Sequence, residues 1–284
     1  MSIVVTGATG QLGRLVIEEL LARVSADQIV AVVRDVAKAS DFAARGVELR
    51  IADYDEPETL DGAFIAGDSV LLISGSEVGR RIPQHKAVIA AAKNAGVARL
   101  AYTSVLGGPA ADFTLADEHI ATEQAIIDSG LTYTFLRNGW YNENYTDQLA
   151  VQLEHGVVGS AGEGRIASAA RADFAAAAAV IMTGEGHGNK AHELSGDTAW
   201  TLAEYAAEVT EQSGRQVAYN NVPADVHVGI LTGAGIPGPM AEILVDVDKA
   251  IERGLLAATS GDLSRLIGRP TTPIADSIAL ALKG

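Results

Sequence analysis

Near its start the chain reads Thr6-Gly7-Ala8-Thr9-Gly10-Gln11-Leu12-Gly13, with three glycines each three residues apart. Placed between a strand and a helix, such a run builds an anion cradle. Gly7 permits a tight turn, Gly10 lets the backbone approach a phosphate, and Gly13 lets the helix lie against the sheet. The free N–H groups and the positive end of that helix then receive the charge. A merely tight strand-to-helix turn is the plainer alternative, but three glycines in seven positions are more than it needs.

The second chemical signal follows the next apolar run, Ala31-Val32-Val33-Arg34-Asp35. An acidic side chain at that point binds the 2′-hydroxyl of an adenosine ribose and selects NAD, whereas Arg34 suits a 2′-phosphate and selects NADPH. Charge-assisted hydrogen bonds contribute about 1.5–3 kcal/mol, so Arg34 favours NADPH by roughly one to two decades. Lys38 adds to the same field. The alternative leaves Arg34 as a solvated strand-end residue and gives the ribose to Asp35. Asp53, after the third strand, is placed to meet the adenine edge, while Asp55, Glu56 and Glu58 belong to the start of the next helix. Ser74-Gly75-Ser76, after the fourth strand, either lies along the cofactor's path or forms an ordinary polar turn.

The elements that must position these residues alternate in type. Strands are expected at 3–6, 29–33, 47–51, 69–73, 99–103 and 131–136. Helices are expected at 11–23, 37–44, 57–64, 83–95 and 115–128. The strands are apolar on successive residues, as burial on both faces requires. Six strands joined by right-handed helical crossovers give an α/β fold, a Rossmann-type doubly wound parallel sheet. After about residue 137 the regularity weakens. Helices are expected at 142–153, 172–182, 202–212, 239–252 and 273–282, the last with Thr272 as cap and Pro273 at its first position. Short strands are expected at 157–158, 192–194 and 217–219, and Thr201-Leu202-Ala203-Glu204 reads as a capping box. The expected organisation is a nucleotide-binding domain over 1–137, completed by part of 165–195. A smaller mixed α/β substrate lobe, 138–284, is expected over the carboxyl ends of the strands.

Composition removes other chemistries. With 21 basic and 36 acidic residues the formal charge is −15, which opposes a cationic nucleic-acid footprint. The absence of cysteine excludes disulfides, cysteine-ligated metals and a thiol nucleophile. The six histidines show no HExxH spacing, and there is no nucleophile elbow and no P-loop lysine, so no metal is expected. No basic leader precedes the first strand, and the longest apolar run, Phe174 to Met182, is too short to span a bilayer. A cytoplasmic protein without membrane insertion is expected, and a homodimer stays open.

Taken together, TGATGQLG, AVVRD, LLISGSEVG, AYTS and TFLRNGWYNENY resemble the NmrA-like branch of the atypical short-chain dehydrogenase/reductases, and within it the quinone-reducing bacterial members. The likeness runs nearly the whole chain, through HGVVGSAGEG, ARADFAAAAA and LIGRPTTPIADS. It implies a Rossmann domain and a small carboxyl-terminal domain with NADPH between them. It carries cofactor contact onto Gly7, Thr9, Gly10, Gln11, Leu12, Arg34, Ser74, Gly75 and Ser76. It adds Asn138, Gly139, Trp140, Tyr141, Asn142 and Glu143 as the loop near the nicotinamide.

One departure from the wider reductase pattern decides between reactions. Where a YxxxK acid is usual, this chain has Leu115 in place of the tyrosine and His119 in place of the lysine. Reducing a simple ketone generates a basic alkoxide that needs a strong donor nearby, whereas a quinone yields a stabilised phenolate. The missing tyrosine therefore permits quinone reduction and opposes alcohol dehydrogenase activity. His119 is the candidate donor or ribose contact, against a packing role. Ser104 is a candidate to orient a substrate oxygen, against closing a strand end. Trp140, Tyr141 and Tyr145 offer a flat wall for an aromatic ring, against a hydrophobic plug. Two readings follow: an NADPH-dependent reductase acting on a quinone or similar small aromatic carbonyl, or a catalytically silent NADP(H) sensor.

Overall fold

The computed structural model describes residues 2–283. Its centre is a sheet in the order β3-β2-β1-β4-β5-β6, with Lys190–Leu194 added at the β6 edge. These strands are β1 (Ile3–Val5), β2 (Ile29–Val33), β3 (Glu48–Ile51), β4 (Ser69–Leu72), β5 (Arg99–Val105) and β6 (Tyr133–Asn138). All five pairings among them are parallel. The order reverses between β1 and β4, the point at which open α/β sheets bind ligands. β1, β2 and β4 are buried at every residue, which explains why β1 and β2 are wholly apolar and β4 is apolar after Ser69.

Helices α1 (Gln11–Leu21), α2 (Ser40–Ala44), α3 (Arg81–Ala95) and α4 (Thr114–Ser129) are the crossovers between these strands. On one face Val4, Val70, Leu72, Leu100 and Tyr102 of the strands pack with Val88, Ile89 and Ala92 of α3 and Ile126 of α4. Burial of each such aliphatic side chain stabilises by about 1.5–3 kcal/mol. Gly96 ends α3 in the left-handed region at φ 72°, which a residue with a Cβ resists. The helix Arg171–Thr183 buries its whole alanine run, Ala175 to Ala179.

Several boundaries differ from the sequence-based expectation. The helix expected at 57–64 is a single 3-10 turn, Pro57–Leu60, because Gly62 follows at φ 83°. The helix expected at 37–44 opens as a 3-10 turn, Val36–Ala39, before α2. The helix expected at 142–153 is two, Glu143–Thr146 and Leu149–His155. In the last helix, Ile274–Ala281, Pro273 occupies the cap position with extended backbone instead of the first helical turn. Two helices had no sequence-based counterpart, Ala224–Gly233 and Asp262–Ile267.

The chain divides into two compact units. The first holds the described residues through Gly108, with Glu118–Asn138 and Ala172–Glu193. The second holds Pro109–Asp117, Gly139–Arg171 and the described residues from Leu194 onward. Within the second, Val157–Gly159 pairs parallel with Tyr219–Asn221, and Arg165–Ile166 pairs antiparallel with Trp200–Thr201. Thr201 and Glu204 form the reciprocal capping box read from sequence, at the start of helix Leu202–Ser213. Tyr145, Trp200 and Tyr205 pack in one aromatic cluster, with ring centroids 4.9–5.7 Å apart. Among the described residues no helix is long and apolar enough to cross a membrane.

Candidate active site

In the first unit the glycine loop connects β1 to α1 as the sequence requires. Gly7 sits at φ 61°, and the Gly10 N–H closes the turn onto the Gly7 carbonyl at 3.0 Å. A Cβ on Gly13 would lie 2.3 Å from the Gly7 oxygen and 2.8 Å from the Ala8 Cα, so only glycine lets α1 come this close. Gly10 caps α1 with no side-chain hydrogen bond, and the first turn carries no acid. The helix therefore presents backbone N–H groups and a positive dipole end without an internal anion competing for them. Gly7, Gly10 and Gln11 are exposed, Thr9 is half-buried, and Leu12 turns into the core.

Thr6, one residue before the loop, had no role in the sequence reading. Its hydroxyl donates to the Leu71 carbonyl and accepts from Ile73 N–H at 3.2 Å and from the Tyr54 hydroxyl. It thereby ties the glycine loop to the end of β4. Burial pushes the Tyr54 hydroxyl well above its ordinary pKa, so it stays a proton donor.

At the end of β2, Arg34 is 69% exposed, and its ion pair with Asp53 is loose, at 3.9 Å. Asp35 is already committed, because its carboxylate accepts from Ala37 N–H at 2.9 Å and caps the following turn. Asp53 has its own local task, accepting from Asp55 N–H at 3.1 Å. Lys38 is exposed, and its carbonyl accepts from Arg14.

Beyond β4, Ser74 donates its N–H to the Thr103 hydroxyl at 2.8 Å. Gly75 donates its N–H to His85 Nε2 at 3.0 Å, and its carbonyl accepts from Arg81 Nε at 2.6 Å. Ser76 is exposed. His119 lies on α4 with its Nδ1 2.7 Å from the Tyr102 hydroxyl. Burial, reinforced by Arg81 and His85, lowers its pKa to about 3, so the ring is neutral near pH 7. Burial holds the Tyr102 hydroxyl protonated, and it shares this one hydrogen bond with Nδ1 of the neutral ring.

Ser104, on β5, is buried, yet its hydroxyl has no hydrogen-bond partner among the described residues, so it does not close the strand end. Opposite it on β6, Arg137 donates two bonds to Glu123, at 2.9 and 2.7 Å, and one to Glu193 at 2.8 Å. Glu123 foremost, and Glu193 after it, raise the Arg137 pKa.

The remaining candidates run from the end of β6 into the second unit. Asn138 is buried, and its carbonyl accepts from Leu106 N–H at 3.0 Å. Gly139 donates its N–H to the Leu194 carbonyl at 2.7 Å, and Trp140 is half-buried. The Tyr141 ring lies under the Arg171 guanidinium, 5.2 Å from its centroid. The Asn142 side chain is fully buried among Ser168, Ser277 and the Thr272 carbonyl. Both Glu143 oxygens accept from Arg171 N–H at 2.9 Å. The last two side chains thus shape the segment from inside it, and Trp140 and Tyr141 add two aromatic rings beside them.

Comparison with known proteins bears directly on this geometry. A family model described as NAD(P)H-binding matches residues 7–209, from the first glycine of the loop onward. An NmrA-like family oxidoreductase of Aspergillus flavus is 30% identical, over 98% of this chain and 94% of that protein. This chain belongs to the NAD(P)H-binding, NmrA-like family. Within that family it is 51% identical to quinone oxidoreductase 2 of Escherichia coli, over 98% of this chain and 97% of the relative. The crystal structure of the Escherichia coli NADPH-dependent quinone oxidoreductase complexed with NADPH matches with a TM-score of 0.96, over 99% of both chains at 50% identity. A Citrobacter triphenylmethane reductase complexed with NADP(H) matches with a TM-score of 0.94 at 42% identity, over 99% of this chain and all of that one.

Proposed function

We propose that this chain is an NADPH-dependent quinone oxidoreductase. The observation that carries the proposal is its full-length likeness to a quinone oxidoreductase crystallised with NADPH, combined with an intact phosphate cradle in this chain. The cradle suits a dinucleotide because the space a Gly13 side chain would fill is closed by the loop backbone, and the end of α1 is left uncapped. When bound, NADPH supplies the hydride and is itself oxidised to NADP⁺.

The chain's own residues then do the following. Gly7, Thr9, Gly10, Gln11 and Leu12 hold the pyrophosphate, and Ser74, Gly75 and Ser76 flank it. Arg34, with Lys38 beside it, takes the 2′-phosphate. Asp35 does not compete for the ribose, since its carboxylate is spent on its own turn. Asp53 meets the adenine edge. Trp140 and Tyr141 offer flat apolar faces to an aromatic acceptor. His119 offers a neutral imidazole to the nicotinamide ribose or to an acceptor oxygen. Its depressed pKa disqualifies it as a store of protons near neutral pH. Quinone reduction tolerates this, because the anion formed is weakly basic and can take its proton from water. The acceptors named for the two bacterial relatives, a quinone and a triphenylmethane dye, are both electron-poor conjugated systems that accept hydride, and we assign this chain the same acceptor class.

Steady-state NADPH oxidation, with and without benzoquinone-type acceptors, tests the reading. Acceptor-dependent turnover on quinones and none on simple ketones is expected. Tight nucleotide binding without turnover on any quinone would replace the enzyme with a redox sensor.

A further inference from the structure

The loop from Ile73 to Arg80 is held by side chains from other elements. Ser74 N–H reaches Thr103 of β5, and Gly79 N–H reaches Glu118 of α4 at 3.1 Å. The tightest grip is on Gly75. Its N–H and its carbonyl are both taken by α3, the first by His85 and the second by Arg81. Those two residues stand four apart and so share one helix face.

The imidazole of His85 has one usable orientation and one tautomer. Its Nδ1 lies 3.0 Å from the Thr122 hydroxyl, which gives its own hydrogen to the Glu118 carbonyl at 2.7 Å. Nδ1 must therefore be the donor, and Nε2 is left with the lone pair that Gly75 N–H needs. The ring is buried and packs edge-on to Tyr102, with centroids 5.4 Å apart. Arg81 is buried as well, with one guanidinium nitrogen 4.0 Å from Glu118. Burial, then the Arg81 charge, holds the His85 pKa at about 4.

We propose that His85 and Arg81 are positioning residues for nucleotide binding: they fix the Ser74–Gly75–Ser76 loop by both polar groups of Gly75, so that it meets NADPH already shaped. The inference rests on the reading of this loop as part of the NADPH site. A preformed loop binds without the free-energy cost of being ordered on contact. Neither side chain touches the nucleotide. Both act through the backbone of Gly75.

The test uses the full chain and its variants His85→Leu, His85→Gln and Arg81→Gln. NADPH affinity, steady-state kinetics with a benzoquinone acceptor and amide exchange of the 73–80 segment are measured on each. Loss of one buried acceptor is expected to weaken NADPH about tenfold in His85→Leu. The change falls on the KM for NADPH more than on kcat, and amide exchange of the loop speeds up without nucleotide. His85→Gln, whose Oε1 can accept from Gly75, recovers most of the affinity. Wild-type affinity and loop protection in His85→Leu would overturn the proposal. So would a glutamine variant as weak as the leucine one, since that result assigns His85 to packing alone. Should His85→Leu fail to fold, Arg81→Gln decides with His85 intact: a several-fold rise in the NADPH dissociation constant is expected, and an unchanged value overturns the proposal. Failure of wild-type protein to bind NADPH would instead remove the function reading, and the wild-type titration separates the two failures.

Discussion

Two loops of the first unit flank the point where the strand order reverses, and they reach a fixed shape by opposite means. The loop after β1 is shaped by missing side chains: Gly7 turns at positive φ, and Gly13 lets a helix close onto backbone 2.3 Å from where a Cβ would sit. The loop after β4 is shaped by side chains that arrive from elsewhere, Thr103, His85, Arg81 and Glu118. The first arrangement depends on sterics and is indifferent to protonation. The second depends on hydrogen-bond roles and is open to titration.

The largest expected effect is on the steric loop. Gly13→Ala forces a Cβ against rigid backbone, and NADPH affinity should fall at least a hundredfold in protein shown by circular dichroism to be folded. Near-normal binding would mean that the two backbones can part freely.

Arg34→Ala should weaken NADPH by about ten- to a hundredfold while leaving NADH within about twofold, read from paired titrations. Equal losses for the two nucleotides would remove the 2′-phosphate assignment.

The side-chain-built region should show itself in acid. Burial lowers the pKa of His85 to about 4 and that of His119 to about 3, so as the pH falls the unfolded chain takes up protons first. The stability these neutral rings allow is present above the ordinary histidine value, near 6.5, and is lost as the pH drops toward 4. Asp248, whose pKa burial raises, works in the opposite direction. Each of the two histidines should remove about 2 kcal/mol of unfolding free energy between pH 7 and pH 5, before the opposing Asp248 contribution, and His85→Gln should reduce the difference read by denaturant unfolding. An unchanged slope in that variant would exclude His85 as its source.

Gly75→Ala should be mild, under about threefold in NADPH affinity, because the obstructing atom, 3.0 Å away, is the movable end of Gln84. A loss as large as that for Gly13→Ala would erase the contrast between the loops. The smallest stability effect is expected for Ser104→Ala. Removing a buried hydroxyl without a partner should leave stability within about 0.5 kcal/mol. A lowered kcat on quinones at unchanged stability would assign that hydroxyl to the acceptor oxygen.

The same contrast explains what could be read before the structure. TGATGQLG was legible because its cause lies within eight consecutive residues, and β1, β2 and β4 because two-sided burial leaves apolar runs, broken only by Ser69. His85 gave no signal. Its partners Gly75 and Thr122 are 10 and 37 residues away, and nothing in a helical histidine names them. Tyr102 and His119 meet across 17 residues, so the sequence suggested the imidazole but not the hydroxyl it bonds. The helix Ala224–Gly233 escaped because glycines interrupt an apolar stretch with little polar contrast, which leaves periodicity nothing to work on. Pro57 marked a helical start correctly, but Gly62 at positive φ overrode its continuation.

The aromatic cluster of Tyr145, Trp200 and Tyr205 has a spectroscopic consequence. Both tryptophans of the chain, Trp140 and Trp200, fall in the second unit, and the first has none. Indole emission is therefore a label that the chain carries in one half only, while ellipticity reports both. Melting curves followed by the two signals will coincide if the halves unfold together and separate if they do not, with no dye or engineered residue added.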